Sequence, residues 1–99
     1  MNFSIVAGSA EQIRILVAIS DLAIKKNDFT SAINMLNSVP TESSLYTHAV
    51  VAKADIYLKH RHDKQAFAQC YLELVQAKKS AATYVLLGEA YMRIQAPER

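Results

Sequence analysis

A chain of 99 residues bounds one small domain, and its 52% hydrophobic content with two glycines, two prolines and no tryptophan argues for helices joined by short loops, against a sandwich or barrel. A net charge of +2, from eleven Lys/Arg and nine Asp/Glu, is too small an excess for a nucleic-acid footprint, and the single Cys70 excludes an intrachain disulfide. No apolar run reaches the roughly 18 residues of a membrane span, and the first eight residues lack the basic leader and long apolar stretch of a signal peptide, so the expectation is a soluble, intracellular protein.

Ser9 is a candidate N-cap, with Gln12 placed to reach back to it. From residue 10 to 26, Ile13, Leu16, Val17, Ser20, Ala23 and Ile24 recur at helical spacing. Asn27-Asp28 ends this helix, and Asp28 is expected to cap a second over residues 29–37, with Ile33 and Leu36 facing inward. Pro40 lacks an amide hydrogen and biases Val39 away from helix, so residues 40–44 read as a loop. A third helix is expected over 45–60 and a turn at 61–63, with Asp63 as cap of a fourth over 64–77. Lys78-Lys79 complement its C-terminal dipole. Ser80 should cap a fifth helix reaching about residue 94, with a turn at 95–97 and Pro97 at a first helical position.

An interval of 34 residues runs through these elements. It links Ser20, Ala54 and Gly88; Leu16, Val50 and Tyr84; Asp21, Asp55 and Glu89; Lys25, Lys59 and Arg93; and Ala32 with Ala66. That is the period of a helix–turn–helix solenoid. The residue types fit the tetratricopeptide (TPR) pattern, best in Tyr84, Leu87, Gly88 and Tyr91, then in Val50, Ala54, Tyr57, Ala66 and Cys70. Lys53 stands where leucine is expected, and Glu73 and Val39 where alanine is. The expected fold is therefore all-α: a right-handed α-solenoid of about two and a half TPR repeats in five helices, over approximately residues 13–46, 47–80 and an incomplete 81–99. Two antiparallel helices approach closely only where side chains are small. Ser20, Ala54 and Gly88 are expected on one side of that contact and Ala32 and Ala66 on the other, with Tyr57 and Tyr91 filling the space beside it. The last helix carries Tyr84, Val85, Leu86, Leu87, Tyr91, Met92 and Ile94 with nothing after it to cover them, which implies a segment of a longer array.

Beyond the generic pattern, the run from Ala54 to Lys64, with its Tyr-Leu-Lys-His-Arg turn, and the run from Leu86 to Glu98 resemble the tetratricopeptide repeat protein 21 family, the large repeat subunit of intraflagellar transport complex A. The likeness extends over essentially the whole chain. It implies a non-catalytic protein–protein interaction scaffold acting in retrograde intraflagellar transport and ciliary cargo entry. It also implies residence in the cytoplasm and at the cilium or flagellum and its base, with other complex A subunits and neighbouring repeats of the same parent chain as partners. No catalytic residue, cofactor, metal or nucleic acid is expected.

The first helix of each pair lines the concave face in such a fold. The candidate binding residues there are Arg14, Val17, Asp21 and Lys25; His48, Val51, Asp55 and Lys59; and Val85, Glu89 and Arg93. Acid four residues before base reads either as a ladder of intrahelical salt bridges or as a groove offering alternating charge to a partner. A co-chaperone clamp for a terminal carboxylate would need Lys, Arg or Asn where Val17 and Asp21 stand. That speaks against a generic TPR adaptor outside cilia, the alternative reading. RNA-binding helical repeats would need a 35-residue period and a basic groove. Lys59-His60-Arg61-His62 is a basic turn without a convincing metal-ligand set, and Cys70 reads as a buried small hydrophobe.

Overall fold

The computed structural model describes residues 10–95, with side chains from residue 11. The expected Ser9 cap and the turn leading to Pro97 lie outside the described residues. Within them lie five α-helices and no strand: α1 (Ala10–Lys25), α2 (Phe29–Asn37), α3 (Tyr46–Lys59), α4 (Lys64–Ala77) and α5 (Ala81–Gln95). The bounds fall within a residue or so of those the periodicity predicts. The chain forms two compact units that meet in sequence within α3, between Lys53 and Ala54.

In the first unit α1 packs on α2. Ile13, Val17, Ala23, Ile33, Leu36 and Val39 are buried, and Ser20 and Ala32 have no exposed surface. The Ser20 hydroxyl donates to the Val17 carbonyl of its own helix at 2.6 Å, so the small polar side chain sits in the core with its hydrogen bond made. The turn between the helices follows from Asn27, whose φ of 64° is the left-handed conformation that asparagine tolerates better than most residues. The amide of Asp28 donates to the Ala23 carbonyl and that of Asn27 to the Ile24 carbonyl, closing α1 with a Schellman motif. The Asp28 carboxylate then accepts from the Ser31 amide and starts α2.

In the second unit α4 packs on α5. Phe67, Leu74, Ile56, Cys70, Tyr71, Val75 and Ala90 are buried, with Ala54 fully enclosed. Asp63 caps α4 by accepting from the Ala66 amide at 3.0 Å. Ser80 caps α5 reciprocally: its hydroxyl accepts from the Thr83 amide while its own amide donates to the Thr83 hydroxyl, both at 3.2 Å. A buried threonine thus does what glutamate or glutamine does in the usual capping box.

The 34-residue interval holds for first helices and fails for second ones. Lys25 and Lys59 end α1 and α3. Only residues 26–28 then separate α1 from α2, whereas residues 60–63 separate α3 from α4. His62, at φ 55°, turns the chain, and the Asp63 amide reaches back to the Tyr57 carbonyl. The extra residue advances α4 by one position, so its cap lies 35 residues after the cap of α2. Ala32 is therefore matched structurally by Phe67, also fully buried, while Ala66 is only partly covered. The expected pairing of Ala32 with Ala66 is corrected accordingly. Glu73 ceases to be a departure from the pattern for the same reason: it is exposed, and Leu74 takes the core position that Val39 holds just after α2.

Candidate protein-interaction face

On α1, Arg14, Asp21 and Lys25 are exposed at spacings that share one helix face. Val17, expected among them, is 8% exposed and belongs to the core beneath α2. On α3, His48 and Lys59 are exposed and Val51 and Asp55 half-buried. On α5, Val85, Glu89 and Arg93 are all exposed. Val17 apart, the stripe is exposed or half-buried, and it is polar except at Val51 and Val85.

The ladder of intrahelical salt bridges is not formed. Among the described residues Asp21 and Lys25, Asp55 and Lys59, and Glu89 and Arg93 make no ion pair with each other. Arg93 instead crosses from α5 to α3 and donates to the Asp55 carboxylate at 3.4 Å. Its guanidinium also lies 5.0 Å from the Phe67 ring centre. An exposed i,i+4 pair stabilises by only about 0.2–0.5 kcal/mol, so a contact that adds a cation–π term of about 0.5–1 kcal/mol takes the side chain. Phe67 in turn meets Tyr71 edge-on at 5.2 Å. Burial raises the pKa of the Tyr71 phenol, the Asp55 carboxylate adds to the rise, and Arg93 opposes it.

The column of small residues is divided. Ser20 and Ala54 are buried as packing positions, but Gly88 is exposed, and a Cβ added there would meet nothing within 4 Å. Tyr84, Val85, Tyr91 and Met92 around it are exposed too, Met92 to 71%, while Tyr57 on α3 is half-buried. The expected close approach at Gly88 and Tyr91 is therefore absent. The reason is positional: α2 covers the matching face of α1, and no helix follows α5 among the described residues. In the first unit Ile15, Ile19 and Leu22 of α1 are likewise exposed, a stripe that the sequence reading did not single out.

No group of three or more metal-ligating side chains comes together among the described residues, and no helix there is long and apolar enough to cross a membrane. Cys70 is a buried free thiol. The first helices keep the 34-residue step, and the column Asp21, Asp55 and Glu89 is acidic, so neither requirement of an RNA-reading repeat is met there.

The packing of α1 on α2 and of α4 on α5, with first helices recurring at 34 residues, defines an α-solenoid repeat protein. Residues 3–74 match the family described as tetratricopeptide repeat protein 21 ARM repeat. The chain is 41% identical over 92 residues to mouse tetratricopeptide repeat protein 21B, 37% to the human protein and 34% to the Caenorhabditis elegans homolog, each over 93% of this chain. It belongs to the tetratricopeptide repeat protein 21 family, and it spans 7% of the length of those relatives.

Proposed function

We propose that this chain is a segment of a non-catalytic protein–protein interaction scaffold serving intraflagellar transport complex A, in retrograde transport and in the entry of cargo into the cilium. The observation that carries this is family membership across nearly the whole chain. The physical chemistry agrees: what the chain offers is surface. The polar stripe of Arg14, Asp21, Lys25, Lys59, Glu89 and Arg93 suits charged partner segments, and the apolar stripes on α1 and α5 suit stacking against further helices. The cytoplasm and the cilium with its base are the proposed places of action.

The test is affinity purification of the tagged chain from ciliated cells, with imaging of the same tag. Recovery of complex A subunits and signal at the ciliary base are the expected outcomes. A diffuse signal with chaperones as the main partners would replace this reading with that of a generic peptide-binding adaptor.

A further inference from the structure

Lys53 breaks the repeat. One interval away in either direction its column holds Ile19 and Leu87, both apolar. The column is not a buried one, since Ile19 is 44% exposed and Leu87 half-buried, so the fold does not require an apolar side chain there and leaves the position open to another use. Departures of this kind from local consistency concentrate at functional positions.

The surroundings of Lys53 fit such a role. It borders a cavity of about 370 Å³ formed by the C-terminal end of α2, the connection after it and the first turns of α3. Leu36 and Val50 lie almost wholly buried behind the cavity, whose surface is mostly polar, and Thr41 and Tyr46 are among its lining residues. Among the described residues lining it Lys53 alone is charged, and no carboxylate stands with it there. Its ammonium carries three donors. The Asn37 side-chain carbonyl accepts one at 2.8 Å, which steers the group to the cavity wall without cancelling its charge.

We propose that this cavity holds an acidic side chain of a partner protein, with the partner's carboxylate on Lys53. Charge-assisted hydrogen bonds to a carboxylate are among the stronger ones a surface site makes. The proposal rests on the protein-binding reading but not on the ciliary assignment.

The experiment is amide-resolved NMR titration of the full chain with a capped, glutamate-rich peptide, its glutamine counterpart and inorganic phosphate at matched ionic strength. The glutamate peptide should shift the signals of Thr41, Tyr46 and Lys53, and the glutamine peptide should not. Lys53→Met should weaken the effect roughly tenfold or more, while Lys79→Met, at an exposed lysine away from the cavity, leaves it unchanged. Lys53→Gln serves the same purpose if the methionine variant loses its fold. Shifts with phosphate alone would make this a free-oxyanion site and overturn the assignment, as would shifts that survive both Lys53 variants or no shifts at all. Failure here alongside recovery of complex A subunits would leave the proposed function standing.

Discussion

Ser20 and Gly88 occupy one sequence column, two intervals apart, yet added bulk should act on them with opposite sign. Ser20 is fully buried with its hydroxyl bonded to Val17, so Ser20→Leu should cost about 1–3 kcal/mol or more through overpacking. Gly88 is exposed within α5 with open space where a Cβ would go. Gly88→Ala should therefore stabilise by about 0.5–1 kcal/mol, the helix-propensity difference. Urea unfolding followed by circular dichroism measures both, and a destabilised Gly88→Ala would mean that this face is packed in solution. Tyr71 supplies a pH signature. Its folded pKa lies above the ordinary 10.0, chiefly through burial. Above that pH the unfolded chain loses the phenolic proton while the folded chain retains it, so stability should fall as pH rises past about 10. Below that range the phenol is protonated in both states and contributes no pH dependence. Tyr71→Phe should flatten the alkaline fall, as read from unfolding midpoints at a series of pH values.

The elements themselves were largely legible from local chemistry. Asp28, Asp63 and Ser80 cap the helices assigned to them because capping needs only a side-chain oxygen within a residue or two of the first free amides. The turn between α3 and α4 was not legible in the same way. Its extra residue is hidden when Ala32 and Ala66 are aligned by number, because alanine fits both a buried and a half-buried position. The distinction appears only when burial singles out Phe67 and Leu74. That turn also carries a test. His62 has a φ of 55°, a conformation costing a side-chain-bearing residue about 1–2 kcal/mol that glycine avoids. His62→Gly should raise the melting temperature, less whatever glycine loses in unfolded-state entropy, whereas Asn27→Gly should be nearly neutral, asparagine being already tolerated there. Equal responses at the two positions in thermal melts would contradict this account of the turns.

At the scale of the molecule, the exposed apolar stripes dominate expected behaviour. Tyr84, Val85, Tyr91 and Met92 lie together on one side of α5, and contiguous apolar surface of that kind seeks cover. The chain should show a mass that rises with concentration in light scattering, and the paired substitution of Val85→Glu and Met92→Glu should reduce it without loss of helical signal. A monomer at all concentrations would show that α5 hides this face in solution. Periodicity, caps and apolar spacing determined by themselves that the chain is helical, that it repeats, and roughly where each helix starts and stops, while the family resemblance rests on the residue runs from Ala54 to Lys64 and from Leu86 to Glu98. These are properties of neighbouring residues and of intervals along the chain. Tertiary structure alone decided which members of each column are buried, that Arg93 leaves Glu89 for Asp55 and Phe67, and that Lys53 borders a cavity beside Asn37. Those outcomes depend on what another helix brings to the same place, and a single loop residue or an uncovered face changes them without altering the local pattern.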